Sequence, residues 1–173
     1  MKPSPEVRPV LKLQPTTTDY TLEAIAILGI ISLCLLAFVS YSSLPDSIPT
    51  HFNIKGQADD WGSKASIFLL PGISLLLFTG ITILNKFPHI FNYPVKVTEK
   101  NALQLYTKSV RIIRILKVLV VMQFLFIEWQ ACKSAENAVL PSWFFPAVLI
   151  IPVFLPIATA LFLTKTFSSG KRN

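Results

Sequence analysis

The sequence predicts an all-α polytopic membrane protein, a bundle of four transmembrane helices with a structured outer loop between helices one and two. Three observations lead there. Hydrophobic residues make up 52% of the 173-residue chain and charged residues only 14%, whereas soluble domains carry roughly a quarter charged residues. The apolar residues are gathered into runs of about twenty, the length an α-helix needs to cross a hydrocarbon layer of ~30 Å. The Lys and Arg residues behind the net charge of +7 flank those runs and form no groove-binding pattern, so no nucleic-acid partner is expected.

The first 21 residues are proline-rich, with mixed charges and no apolar periodicity, and read as a flexible cytoplasmic tail. Ala24 to Ser42 carries no charge and forms span one, 24–42. It is longer than the apolar region of a secretory signal and is expected to remain as an uncleaved anchor. Ser66 to Leu84 is again uncharged and forms span two, 66–84, with Pro71 and Gly72 marking a kink or an irregular first turn. Thr98 stands where an N-cap belongs, with Glu99 in the following turn, so a long helix is expected from Thr98 to Gln130. Its start is basic and amphipathic, with Lys100, Lys108, Arg111 and Arg114 on one side. Its second half supplies span three, 112–129, with Arg114 and Lys117 snorkelling. A short loop containing Cys132 leads to span four, 143–164, whose three prolines require neighbouring helices to satisfy the freed carbonyls. The membrane domain thus covers 22–165 and a second cytoplasmic tail covers 166–173. The remaining cysteine, Cys34, lies inside an apolar run, so no disulfide framework is expected.

Orientation follows from the basic residues. Thirteen Lys and Arg fall on the side of the two termini and three on the other, which places both ends in the cytoplasm of a bacterial inner membrane. Trp61, Trp129 and Trp143 all fall near the outer face, as an aromatic belt requires.

The outer loop holds the candidate site: Leu44, Pro45, Asp46, Pro49, His51, Phe52, Asn53, Gly56, Asp59, Trp61, Gly62 and Lys64. Pro45 and Pro49 stiffen it, Gly56 permits a turn, and Phe52 and Trp61 seat it on the bilayer or the helix ends. One reading makes it a structural cap in which His51 bonds Asp46, Asp59 or a backbone group; another makes the same residues a recognition surface for an extracytoplasmic ligand. Metal binding by His51, Asp59 and Asp60 has the right donor atoms but only one imidazole and no nearby thiolate, so no metal is expected. The inner basic face of Lys100, Lys108, Arg111 and Arg114 serves as a positive-inside flank, or as a platform for anionic lipid or an acidic partner. No nucleophile elbow, phosphate loop or paired intramembrane carboxylates are found, so neither an enzyme nor a cofactor is expected.

The run from Leu44 to Lys64 resembles the L-P-D-x-I-P-x-H-F-N-x-x-G-x-x-D-x-W-G-S-K pattern of a membrane domain known as domain of unknown function 1648. The resemblance continues through Phe91 to Lys96 and Thr98 to Ala102, and spans roughly Tyr41 to Gln130. That domain forms the N-terminal part of the SdpI family of toxin-immunity proteins. The resemblance implies a membrane fold, a peptide toxin as ligand and a membrane-associated protein partner. The additional C-terminal membrane region of that family is not expected in this chain. The alternative reading is an accessory subunit packed within a larger membrane complex.

Overall fold

The computed structural model describes residues 8–154. Helix α1 (Thr17–Tyr41) is followed by strands β1 (Ser47–Phe52) and β2 (Ala58–Ser63), a 3-10 turn (Lys64–Phe68), and helix α2 (Leu69–Leu84). A second 3-10 turn (Pro88–Ile90) leads to the long helix α3 (Glu99–Ser134). A final apolar helix, α4 (Phe144–Phe154), reaches the end of the described residues. The expected remainder of span four, the C-terminal tail and residues 1–7 lie outside them.

Two helical segments, Thr17–Tyr41 and Lys64–Leu84, are long and apolar enough to cross a membrane. The uncharged runs 24–42 and 66–84 fall within or against these segments. Pro71 sits in the first turn of α2, where its missing N–H has no intrahelical carbonyl to bond, and the irregularity expected there takes the form of the preceding 3-10 turn.

Helices α1 and α3 start earlier or run longer than the apolar pattern alone suggests. Helix α1 begins at Thr17 because Thr16 and Asp19 form a capping box: the Thr16 N–H and hydroxyl donate to Asp19 Oδ2 at 2.8 and 2.7 Å, and the Asp19 N–H returns to Thr16 Oγ1 at 3.4 Å. Residues 8–16, expected as flexible tail, instead pack on α3. Leu11 and Leu13 lie against the buried group of Val97, Ala102, Leu105 and Tyr106. The Tyr106 hydroxyl donates to Pro9 O at 3.1 Å, and Arg8 donates to the carbonyls of His89 and Phe91 at 3.1 and 2.7 Å. Helix α3 starts directly after Thr98, whose N–H donates to Asn101 Oδ1 at 2.8 Å. It continues through Cys132, which therefore lies in a last helical turn and not in a loop.

The expectation of an all-α chain is corrected by the hairpin β1–β2. These strands pair antiparallel, Ser47 opposite Ser63 and Phe52 opposite Ala58, with irregularities on either side of His51. Pro49 within β1 and the aspartates of β2 conceal the strands from composition, because these residues are depleted in sheets. The turn is built by Asn53, whose Oδ1 accepts the N–H of Lys55 at 2.9 Å and of Gln57 at 3.1 Å.

Helices α1 and α3 form the main packing contact. At Gly29 a Cβ would lie 2.7 Å from Val121 Cγ1, so the absence of a side chain is what lets the helices approach. Away from that contact α1 is apolar outward: Leu28, Leu35, Phe38 and Val39 are all exposed. Helices α2 and α4 likewise expose Leu69, Leu76, Leu149 and Phe154.

Candidate functional site

The hairpin stands on the ends of three helices. Leu44 and Ile48 are buried in a cluster with Ala37 of α1, Ile67 of the 3-10 turn and Ala135 beyond α3. Asp46 and Lys64 close its base twice, through the Lys64 N–H to Asp46 O at 3.0 Å and through Lys64 Nζ to Asp46 Oδ1 at 2.9 Å. The Lys64 hydrogen bond and charge hold the Asp46 carboxyl below its ordinary range, and the same hydrogen bond raises the lysine. Lys64 Nζ also sits 5.2 Å from the centre of the Tyr41 ring. Pro45 is exposed beside this closure.

The tip is docked onto the segment after α3. Leu140 N–H donates to Gly56 O at 2.7 Å and Ala58 N–H donates to Ala138 O at 2.9 Å, which makes residues 138–140 a short third edge. Gly56 has φ +78°, and a Cβ there would meet Leu140 O at 2.7 Å, so both its conformation and its neighbour require glycine. At Gly62 a Cβ would lie 2.8 Å from Thr50 Cγ2 across the ladder.

The polar candidates lie on the outside of this structure. His51 Nδ1 is 2.5 Å from Asp59 Oδ1, with the side chains 67% and 44% exposed. Asp60 is engaged elsewhere: its Oδ2 accepts from the Thr50 hydroxyl at 3.2 Å. Among the described residues no three His, Cys, Asp or Glu side chains are grouped to hold a metal ion. Trp61 is 49% exposed, and Asn53 is committed to the turn.

Beneath the hairpin is a cavity of about 320 Å³. Pro49, Thr50 and Phe52 of β1 roof it, Ile67, Leu69 and Leu70 form one wall, and Ile127, Glu128, Ala131 and Cys132 of α3 form the other, with Leu140 and Phe144 closing the side. Its lining is apolar except at few points, of which Glu128 is the most consequential. Glu128 is 2% exposed, and its Oε1 has no hydrogen-bond partner among the described residues. The sequence reading passed over this residue because it follows the apolar run of α3 directly; a lone carboxylate at the end of such a run is the signal that points to it.

The inner basic face divides in two. Lys100 is exposed and Lys108 half-buried, whereas Arg111 and Arg114 turn toward α1. Arg111 Nε lies 3.3 Å from Asp19 Oδ1, Arg114 Nη1 lies 3.0 Å from the same oxygen, and Arg114 Nε lies 3.2 Å from Glu23 Oε1. Lys117 completes the chain on Glu23 Oε2 at 2.5 Å. The sequence, which offers a positive-inside flank or a platform for anionic lipid or an acidic partner, does not show these pairings because the acids that meet the cations are more than ninety positions away.

Comparison with known proteins agrees with the loop motif. Residues 27–75 match the model of a family described as a domain of unknown function (DUF1648), so this segment, from mid-α1 through the hairpin to the start of α2, carries that domain. The chain is also similar to an uncharacterized protein of Archaeoglobus fulgidus, 26% identical over 170 residues covering 88% of this chain and 90% of that one. No solved structure matches.

Proposed function

We propose that this chain is a polytopic protein of the cell membrane with four spanning helices, both termini in the cytoplasm and the hairpin outside. In this reading it is a non-enzymatic receptor- or immunity-type module, related to the SdpI proteins, that engages an extracytoplasmic ligand at the hairpin. Exposed Leu28, Phe38, Leu76 and Phe154 would be unfavourable in water but are at rest in lipid. The concentration of basic residues on the side of the termini supports the orientation.

The observation that carries the ligand reading is the cavity. A hairpin that served only to seal the helix ends would pack on them, since protein interiors leave few voids larger than a water molecule. Here the hairpin is anchored at its base by Leu44 and Ile48 and at its tip by Leu140, and spans a hollow between the two anchors. Loops held on a rigid scaffold are also where recognition is usually placed.

A deletion strain challenged with hydrophobic antimicrobial peptides tests this. Loss of tolerance, restored by the wild-type gene but not by a Phe52→Ala, Trp61→Ala double variant that still inserts, supports the receptor reading. Unchanged tolerance together with stable co-purification in a larger assembly would favour an accessory subunit, for which the exposed apolar faces of α2 and α4 would supply the contact.

A further inference from the structure

We propose that the cavity under the hairpin binds an apolar ligand carrying a single ammonium group, with Glu128 as the counter-ion. This deepens the ligand reading above and rests on the hollow being a binding site. The walls set the first requirement. Ile48, Phe52, Leu70, Ile127, Leu140 and Phe144 offer an aliphatic and aromatic lining, and a volume of about 320 Å³ suits a short alkyl chain or a cluster of apolar side chains.

Glu128 sets the second requirement. A carboxylate is an acceptor only, and leaving a buried acceptor unmet is unfavourable. Oε1 is buried without a hydrogen-bond partner among the described residues, and Glu128 lines the cavity. The cations of α3 nearest in sequence are occupied elsewhere. Lys133 stacks on Trp129 at 4.3 Å, and Lys117 is paired with Glu23 three turns away. A donor arriving with the ligand would complete this site, and an ammonium completes it best, because a charge-assisted bond is worth about twice a neutral one. A fatty acid fails on charge, and an alkyl alcohol meets only half of the requirement.

Cys132 lines the same cavity and reports its occupancy. The full chain carrying Cys34→Ser, reconstituted in lipid nanodiscs, would be alkylated with N-ethylmaleimide in the presence of decylamine, decanol or decanoic acid. A Cys132→Ser, Ile54→Cys variant, labelled at the exposed hairpin tip, corrects for effects of the additives on the reagent. Decylamine should slow Cys132 alkylation several-fold, decanol less, and decanoic acid not at all. Glu128→Gln should raise the decylamine concentration needed for that protection about tenfold, the loss of one charged hydrogen bond, while Glu128→Asp keeps the order of the three. Equal protection by all three additives, or none by any, would overturn the proposal, as would an undiminished decylamine effect in Glu128→Gln. Should that variant fail to fold, the order of additives in the wild type and in Glu128→Asp decides. Amine-selective protection in a protein whose deletion leaves peptide tolerance unchanged would leave the site standing and remove the immunity reading alone.

Discussion

Lys117 Nζ lies 2.5 Å from Glu23 Oε2, and the lysine side chain is fully buried. Its ammonium also donates to Thr82 Oγ1 at 2.9 Å and stands 4.4 Å from the centre of the Phe78 ring, so one cation ties α1, α2 and α3 together. Removing one member of a buried pair strands the other charge, which costs about 3 to 5 kcal/mol. Glu23→Gln should therefore destabilise strongly. Arg111→Gln, at a side chain 36% exposed, should cost much less. Lys117→Met combined with Glu23→Gln should recover part of the loss. Melting in detergent for the two single variants and the pair checks this; additive losses would show that the two side chains are not coupled.

Gly56→Ala should loosen the hairpin tip by about 1 to 2 kcal/mol, because an L-residue is strained at positive φ and its Cβ would press on Leu140 O. Gly72→Ala is the control, since a Cβ there meets nothing within 4 Å. In a helix that change should be neutral or stabilising by up to about 1 kcal/mol. Limited proteolysis at the tip should separate the two variants, with faster cleavage confined to Gly56→Ala.

His51→Ala and Asp59→Asn should change stability by no more than about 0.5 kcal/mol, as expected of an exposed side-chain contact. A structural cap that relied on a buried His51 hydrogen bond would lose more, about 1 to 3 kcal/mol. Their exposure instead leaves the capping to Leu44, Ile48 and Gly56. A drop in melting temperature as large as that of Gly56→Ala would restore His51 to a structural role.

The Asp46–Lys64 pair predicts a pH window. The carboxyl is depressed by its partner, so its contribution is present above the ordinary aspartate value of ~4 and is lost as pH falls through the lower folded value. The lysine is raised, so its contribution is present below ~10.4 and is lost as pH climbs through the higher folded value. The melting difference between wild type and Lys64→Gln should be flat between these limits and shrink beyond either. A difference unchanged under acid would show that the ion pair plays no part.

What could be read in advance follows from how local each signal is. The uncharged runs that became α1 and α2, and the Thr98 start of α3, depend on neighbouring residues and were legible. The hairpin was not, because Pro49, Asp59 and Asp60 disfavour strands and only the pairing across Asn53–Gly56 makes them one. The partners of Arg111, Arg114 and Lys117 were hidden for the opposite reason: Asp19 and Glu23 lie on another helix, and helical periodicity says nothing of what a face will meet. The hairpin residues stand together in the sequence, but the cavity below them is assembled from four separate stretches, so Glu128 could not be joined to them in advance.

The central claim is that the hairpin caps the outer end of a membrane-spanning bundle. Its most direct test is a single cysteine at the tip, Ile54→Cys, where the native side chain is 95% exposed, in a Cys34→Ser, Cys132→Ser background. A membrane-impermeant maleimide added to intact cells, with any outer membrane permeabilised, should label this cysteine fully, and a second variant, Lys100→Cys, only after the inner membrane is broken. Labelling of Lys100→Cys in intact cells with Ile54→Cys protected until lysis would invert the topology and contradict the account.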